Sequence, residues 1–263
     1  CTVGEGGHTE AILGAVPGCR VLGLDRDPSA LATARIRLAP FGDSVRLANV
    51  SYALMVEEAK EHRFYPADGV LMDLGISSLQ LAEEGRGFSF QRDDPLDMRF
   101  GPEGETLAED VVNHYSERAL IRVLQEYGEE PRARRISNAI VRKRPLRSTG
   151  ELAKVIEEAL GRRGRIHPAT RTFQAIRIEV NQEMRTLETG LAAAIEVLKP
   201  GGKLVVISYH SLEDREVKVT MRDSPVLRVI TKKPIPTSQE EVRVNPRSRS
   251  ARMRVSERLD GGL

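Results

Sequence analysis

Three polar features of this sequence have residue types and spacing that could act on a bound small molecule. A glycine-rich turn, Thr2-Val3-Gly4-Glu5-Gly6-Gly7-His8, opens the chain and would let the backbone approach a ligand closely. Asp25 and Asp73 each lie at the end of a short apolar run of the kind that forms a buried parallel strand. In an open α/β sheet, ligands bind beyond the carboxyl ends of the strands, so we expect all three features at one edge of a sheet.

The spacing of the glycines and the first acid narrows the kind of ligand. Asp25 follows the glycines by about 20 residues, where a carboxylate accepts hydrogen bonds from the two hydroxyls of a ribose. The turn departs from the G-x-G-x-x-G dinucleotide pattern, because Gly4, Gly6 and Gly7 are not followed by a glycine at the required spacing. S-adenosylmethionine has one ribose and no pyrophosphate, and it fits this pattern better than a nicotinamide dinucleotide. A purely structural turn is the alternative interpretation.

Asp73 and the small turn after it, Leu74-Gly75-Ile76-Ser77-Ser78, indicate an amine as the group acted on. The lone pair of an exocyclic base amine is delocalised into the ring, so the amine is a poor nucleophile. A carboxylate that accepts the amine protons concentrates electron density on nitrogen and helps to align it for in-line methyl transfer. We expect no metal, because the cofactor is already activated. The alternative is that Asp73 only caps a helix.

Strands and helices are predicted to alternate around these residues, which indicates a doubly wound α/β sheet with right-handed crossovers. No apolar run precedes the glycine turn, so we expect the first strand to lie upstream of this chain. The predicted strands are Arg20–Asp27, Val45–Val50, Gly69–Gly75, Lys203–Ser208, Val226–Thr231 and Ala251–Arg258. The helices and turn predicted between them are Thr9–Ala15, Ala30–Leu38 after a cap at Asp27, Ala53–His62, the turn Lys199–Gly202, and Asp214–Met221.

The alternation stops between Glu103 and Leu198, where apolar residues recur at helical spacing without a strand pattern. We therefore predict that residues 103–198 form a helical insertion large enough to be a subdomain. The methyltransferase domain would comprise 1–102 and 199–263. The predicted fold class is α/β, a Rossmann-like class I methyltransferase with this insertion.

Arginine dominates the basic residues, with 32 Arg against 8 Lys. Residues 132–171 contain twelve Arg or Lys against three Glu, and residues 228–258 contain nine against three. The planar guanidinium matches phosphate and stacks on bases, so two such regions suggest an anionic partner. The alternative is the arginine-rich solvated surface of a heat-stable protein.

Cysteine use and hydropathy bear on the compartment. Cys1 and Cys19 have neither metal-binding nor redox spacing, which indicates a reducing environment. No apolar run approaches the roughly 18 residues that a membrane-spanning helix needs, and no signal peptide is visible. We therefore expect a cytoplasmic protein without a membrane partner.

Six sequence blocks carry a family resemblance: TVGEGGHTEAIL, DLGISSLQL, RGFSFQRDDPLDMR, TFQAIRIEVNQE, SYHSLEDR and NPRSRSARMR. Across essentially the whole chain the sequence resembles the bacterial MraW-type family, methyltransferases that modify the exocyclic amine of a cytosine in small-subunit ribosomal RNA. The resemblance implies S-adenosylmethionine as cofactor and a cytosine of the decoding region as target. The family usually has an aspartate of a D-x-T start just before Cys1, outside this chain.

The resemblance also assigns cofactor contacts. Gly6, Gly7 and His8 match the family's cofactor-binding loop, and Tyr52 occupies the place of an aromatic residue near the adenine. His8 is expected to fix the loop or the cofactor rather than to act as an acid or base. The full candidate cofactor-binding set is Gly4, Gly6, Gly7, His8, Asp25, Tyr52, Asp73 and Gln80.

Asp73, His210 and Ser211 are the catalytic candidates. His210 and Ser211 follow the most strand-like run of the sequence, which would place them across the sheet from Asp73. Whether His210 accepts a proton or orients the cytosine stays open, and a structural role is the ordinary one for a single histidine.

The same resemblance implies a partner for the basic regions and a role in RNA substrate recognition for the helical insertion subdomain at 103–198. Arg134, Arg135, Arg142, Arg247 and Arg249 are the candidate RNA-binding residues, and Arg252 and Arg254 extend the second set. The expected partner is small-subunit ribosomal RNA, within the assembled small subunit rather than as a long single strand, because aromatic residues are scarce. The chain could be a monomer or a homodimer.

The block around Phe88 and Phe90 leaves two interpretations open. It could form a lid that positions a cytosine flipped out of its stack, which we favour, or an ordered loop tied by local ion pairs. Two alternatives to an RNA methyltransferase also remain: a non-catalytic RNA-binding assembly protein, and a methyltransferase acting on DNA or a small amine. Leu74-Gly75-Ile76 in place of a proline-rich turn, together with the arginine-dense regions, favours RNA.

Overall fold

The computed structural model describes residues 2–161 and 167–260 and separates into two compact units. The chain up to Ser77 and from Met184 onward forms a sheet-containing unit, and Ser78–Glu183 forms a helical unit. These bounds differ from the predicted insertion at 103–198. The segment between Ser78 and the predicted start at residue 103 belongs to the helical unit. Within that unit, Phe100 N–H donates to Asn181 Oδ1 at 2.8 Å.

The sheet unit has the alternating strands and helices of a Rossmann-like α/β fold. Its strands are β1 (Val21–Leu24), β2 (Val45–Ala48), β3 (Ala67–Asp73), β4 (Leu198–Ser208), β5 (Leu227–Val229), β6 (Ile235–Pro236) and β7 (Arg252–Arg258). Its helices are α1 (Gly7–Ala15), α2 (Pro28–Leu38), α3 (Met55–Glu61), α10 (Glu183–Val197, its first residue in the helical unit), α11 (Ser211–Asp223) and α12 (Gln239–Val244).

Local sequence explains where α2 begins. The side chain of Asp27 accepts a hydrogen bond from Ser29 N–H at 2.9 Å, and Pro28 occupies the first turn, where no backbone donor is needed. The predicted stripe of Ala30, Leu31, Ala34 and Leu38 is buried. The cap and the stripe therefore agree on one helix.

The strands form two sheets. β1 and β2 pair in parallel, and the second sheet has the order β3-β4-β7-β5, with β6 also on β7. β3 and β4 are parallel, whereas β7 runs antiparallel to β4 and β5. The predicted turn at Lys199–Gly202 lies inside β4 as an irregularity, because the register changes from Ala67 opposite Leu198 to Gly69 opposite Lys203.

Residues of β1 and β3 line the same cavity of about 920 Å³. Val3 N–H donates to Leu24 O at 3.1 Å, and Asp73 N–H donates to Thr2 Oγ1 at 2.9 Å. The first residues of the chain thus connect the ends of β1 and β3.

Two apolar clusters stabilise the sheet unit. The larger packs β3 and β4 against α3, α10 and α11, with Met72, Leu191 and Leu204 fully buried. The smaller joins α1 and α2 through Leu13, Ala34 and Leu38. Burial of such side chains is worth roughly 1.5–3 kcal/mol each, so both clusters fix the strand ends firmly.

The helical unit confirms the helical spacing read from the sequence. α6 packs on α7 and α9, α7 packs on α8, and α5 packs on α9. The interior includes Val111, Leu124, Ile140 and Ile156, each completely buried. Its helices are α4 (Ser78–Ala82), α5 (Ala108–His114), α6 (Glu117–Glu126), α7 (Ala133–Lys143), α8 (Thr149–Leu160) and α9 (Thr170–Asn181).

Within the two described ranges, no helix is both long enough and apolar enough to cross a membrane.

Candidate active site

The glycine turn places the N-terminus of α1 at the end of β1. Gly4 and Gly6 have φ values of 53° and 88°, which side chains rarely permit. Gly6 N–H donates to Val3 O at 2.9 Å, and a β-carbon on Gly6 would lie 3.2 Å from the Leu38 side chain. α1 therefore begins at Gly7, two residues earlier than predicted, and His8 lies in its first turn.

Asp25 anchors this turn through its carboxylate. Gly4 N–H donates to Asp25 Oδ2 at 2.8 Å, and Asp27 N–H donates to Oδ1 at 2.9 Å. Burial raises the pKa of Asp25, while these two backbone hydrogen bonds act to lower it. A carboxylate can accept about four hydrogen bonds, so capacity for further donors such as a ribose diol is left.

Asp73 lies at the centre of a polar cluster at the end of β3. Tyr209 Oη donates to Asp73 Oδ1 at 3.0 Å, and His8 Nε2 lies 3.3 Å from Asp73 Oδ2. The hydrogen bond to Asp73 is the main reason that the pKa of His8 is raised above its ordinary value; Glu241 contributes more weakly. The structure therefore brings His8 and Asp73 into contact, whereas their sequence positions predict only that they lie at the same edge of the sheet.

Tyr209 was not among the predicted site residues. It follows β4 directly, and its ring packs near Gly75, where a β-carbon would lie 3.4 Å from Tyr209 Cδ2. Burial, followed by the charge and hydrogen bond of Asp73, raises the pKa of Tyr209. The available signal was an aromatic hydroxyl at the carboxyl end of the most strand-like run.

His210 has a structural role in this arrangement. It is the N-cap of α11, and its Nδ1 accepts a hydrogen bond from Glu213 N–H at 3.4 Å. Its Nε2 lies 3.2 Å from Glu213 Oε1, outside hydrogen-bonding geometry. Ser211 is exposed and lies in the first turn of α11. This helix begins at Ser211, three residues before the predicted start at Asp214. Catalytic roles for His210 and Ser211 stay predictions.

Tyr52 lies in a short 3₁₀ turn after β2, as the sequence order required. Its ring lies against Gly190 of α10, where there is no β-carbon to displace it. A contact of this ring with an adenine stays a prediction.

Gln80 and the block around Phe88 belong to the helical unit. Gln80 is buried, and its predicted cofactor contact stays a prediction. The ring of Phe88 stacks on Phe100 at 5.7 Å, and Phe90 stacks on His167 at 4.3 Å. Both rings are thus used within the unit, as expected for an ordered loop rather than for a lid with free aromatic faces.

The predicted RNA-binding arginines are exposed. Arg134, Arg135 and Arg142 lie on α7 of the helical unit, whereas Arg247 and Arg249 lie in the short turn before β7.

Arg254 corrects the extension of the RNA-binding set, because it is buried. Its Nε and Nη2 donate to the Asp214 carboxylate at 2.7 and 3.0 Å. Burial alone would raise the pKa of Asp214, but hydrogen bonds from Arg254 and Arg252 and their charges hold it below its ordinary value. A paired, buried guanidinium cannot grip a phosphate, so Arg254 instead ties α11 to β7.

Known proteins are similar to this chain over nearly its whole length. The MraW methylase family profile matches residues 1–259. A protein of Dehalococcoides mccartyi named "Ribosomal RNA small subunit methyltransferase H" is 50% identical over 279 residues, which cover 98% of this chain and 80% of that protein. Proteins of the same name from Thermotoga neapolitana and Gloeobacter violaceus are 50% and 51% identical, covering 100% and 98% of this chain and 89% and 81% of their own lengths. The chain belongs to the MraW methylase family.

Proposed function

We propose that this protein uses S-adenosylmethionine to methylate the exocyclic amino nitrogen of a cytosine in small-subunit ribosomal RNA, in the decoding region. One observation carries the proposal: the Asp73 carboxylate is held beside the glycine turn by His8 and Tyr209. Relatives that are 50% identical to this chain are named ribosomal RNA small subunit methyltransferases, and these names support RNA as the class of substrate. A ribosomal substrate would place the reaction in the cytoplasm.

The residues near the ends of β1 and β3 fit S-adenosylmethionine. The turn at Gly4 and Gly6 places backbone without side chains at the start of α1, which suits close approach by a ligand. Asp25 keeps acceptor capacity for a ribose diol, and Tyr52 offers a ring for the adenine. When bound, the cofactor supplies a methyl group already activated on a sulfonium sulfur.

Asp73 would act on the nucleophile. Its carboxylate would accept hydrogen bonds from the cytosine amine, raise electron density on nitrogen and hold that atom in line with the methyl group. S-adenosylmethionine would supply the methyl group with its sulfur as the leaving group, and Asp73 or water would accept the one proton that the nitrogen releases. The step needs a cytosine that has left its stack, because the amine of a stacked base cannot reach a carboxylate at the end of β3.

The exposed arginines would hold the RNA. Arg134, Arg135 and Arg142 on α7, and Arg247 and Arg249 before β7, would contact phosphates and set the position of the target strand. RNA recognition by the helical unit, within an assembled small subunit, is part of the proposal. Gln80, His210 and Ser211 would contribute on the cofactor and base side.

Methyl transfer from labelled S-adenosylmethionine to small ribosomal subunits that lack the modification tests the proposal. The wild type is compared with Asp73→Asn, which keeps the shape of the side chain, and with Asp43→Asn, an exposed aspartate, as control. We expect label in a cytosine methylated on its exocyclic amine, lost in Asp73→Asn and retained in Asp43→Asn.

Other outcomes assign other functions. Label on a carbon atom would keep the methyltransferase and reject the amine. Label only with DNA or small amines would reject the RNA substrate. Cofactor binding without any transfer would indicate an RNA-binding assembly protein.

A further inference from the structure

Tyr209 links the ends of two adjacent parallel strands. β3 ends at Asp73 and β4 ends at Ser208, and Asp73 lies opposite Ile207 in the sheet. The Tyr209 hydroxyl spans this junction and donates to Asp73 Oδ1 at 3.0 Å. His8 approaches the other oxygen, Oδ2, from the first turn of α1. The carboxylate is therefore contacted from both sides.

The backbone of Tyr209 is fixed as firmly as its hydroxyl. The buried carboxylate of Glu213 accepts the N–H of Tyr209 at 2.8 Å and that of His210 at 3.3 Å. The Tyr209 ring meets the turn at Gly75, where the chain has φ 87° and no side chain. A tyrosine held at its backbone, ring and hydroxyl has little freedom to turn away from Asp73.

We propose that Tyr209 is a positioning residue that holds the Asp73 carboxylate in one orientation for methyl transfer to the amine, and this rests on the proposed function. The Tyr209 hydroxyl and the His8 imidazole together occupy two of the roughly four acceptor sites of the carboxylate, so the remaining sites are available for the amine. Without the Tyr209 donor, Asp73 can rotate, and the amine loses a defined acceptor direction.

Charges around the phenol keep it a donor. Asp73, Glu213 and Glu241 face Tyr209, and with burial they raise its pKa, so the hydroxyl stays protonated throughout the physiological range. Tyr209 therefore acts through its hydrogen bond and takes no proton from the substrate.

Tyr209→Phe tests the proposal, because it removes the hydroxyl and keeps the ring against Gly75. Tyr65→Phe is the matched control, since Tyr65 is exposed and precedes the opposite end of β3. With small ribosomal subunits as substrate, we expect Tyr209→Phe to lower kcat about 10- to 100-fold, the effect of one hydrogen bond to a charged group. The Kd for S-adenosylmethionine should match the wild type, and thermal unfolding should show that the variant stays folded at the assay temperature.

A second measurement does not depend on activity. NMR titration of the His8 imidazole, assigned by its loss in His8→Gln, reports the charge density on Asp73. A carboxylate that has lost the Tyr209 donor attracts the His8 proton more strongly, so we expect a higher His8 pKa in Tyr209→Phe and no change in Tyr65→Phe.

Two results would overturn the positioning role. One is an unchanged kcat with an unchanged His8 titration. The other is a loss of kcat accompanied by equal losses in cofactor affinity and thermal stability, which would show general structural damage. If the wild type fails to methylate a cytosine amine, the proposed function falls, while the His8 titration still decides whether Tyr209 controls Asp73.

Discussion

Tyr52 and Gly190 are packed so closely that a β-carbon on Gly190 would lie 2.3 Å from Cδ2 and 2.4 Å from Cε2 of the Tyr52 ring. Gly190 lies within α10, where a glycine has a conformational cost of about 1 kcal/mol relative to alanine. The glycine at position 190 is therefore explained by the space that the Tyr52 ring needs. It is not explained by a preference of glycine for helices.

Replacing Gly190 by alanine should displace Tyr52. We expect destabilisation of about 1–3 kcal/mol from overpacking and, if the ring contacts adenine, a Kd for S-adenosylmethionine raised about tenfold. Chemical denaturation and calorimetric titration measure the two effects. Gly14→Ala in α1 is the control, because a β-carbon there meets nothing within 4 Å and should stabilise by up to about 1 kcal/mol. Wild-type affinity in destabilised Gly190→Ala would remove Tyr52 from the cofactor site.

The His8–Asp73 pair should make stability depend on pH. The pKa of His8 is raised in the folded protein, so the pair contributes fully below the unfolded value of about 6.5. The contribution is lost as pH rises through the raised folded value. The thermal midpoint of the wild type should therefore exceed that of His8→Gln by more at pH 6 than at pH 9.

A parallel variant checks this assignment. Gln125→Ala changes an exposed, uncharged side chain of the helical unit and should leave the difference between the two pH values unchanged. Because more than half of the His8 side chain is exposed, the effect should also shrink in high salt. A difference between wild type and His8→Gln that is equal at both pH values would contradict the pairing.

Arg254 and Arg249 should behave oppositely although both lie in the same basic block. Arg254→Ala leaves the buried carboxylate of Asp214 without its main partner and should cost about 3–5 kcal/mol of unfolding free energy. Arg249→Ala should leave stability within about 0.5 kcal/mol and lower only turnover on the RNA substrate. Urea denaturation beside methyl transfer separates the two, and equal stability of both variants would reject the structural role of Arg254.

Charge reversal at Arg134 and Arg135 should weaken RNA engagement without affecting the cofactor. Both side chains are exposed on α7, so Arg134→Glu with Arg135→Glu should lower turnover on ribosomal subunits at least tenfold and flatten its salt dependence. Arg222→Glu, on the exposed surface of α11, is the charge control. A matching fall in affinity for S-adenosylmethionine would argue against a surface that contacts only RNA.

The amino-acid sequence by itself determined the family, the α/β class and the strand ends that carry Asp25 and Asp73. Apolar runs that end in acids are local patterns, and so is a glycine turn, whose residues permit positive φ values. Both can therefore be recognised in the sequence without knowledge of the tertiary fold. The start of α2 at Pro28 follows from the Asp27 cap for the same reason.

Tertiary structure alone decided which side chains meet. Tyr209 contacts Asp73 across a sequence separation of 136 residues, and Arg254 contacts Asp214 across 40. The neighbouring sequence does not distinguish the buried Arg254 from its exposed neighbour Arg249. It also does not distinguish Tyr209 from any other aromatic residue that follows a strand. Strand pairing and the burial of α11 against β7 separate these cases, because they decide which polar groups lose water and must find partners in the folded chain.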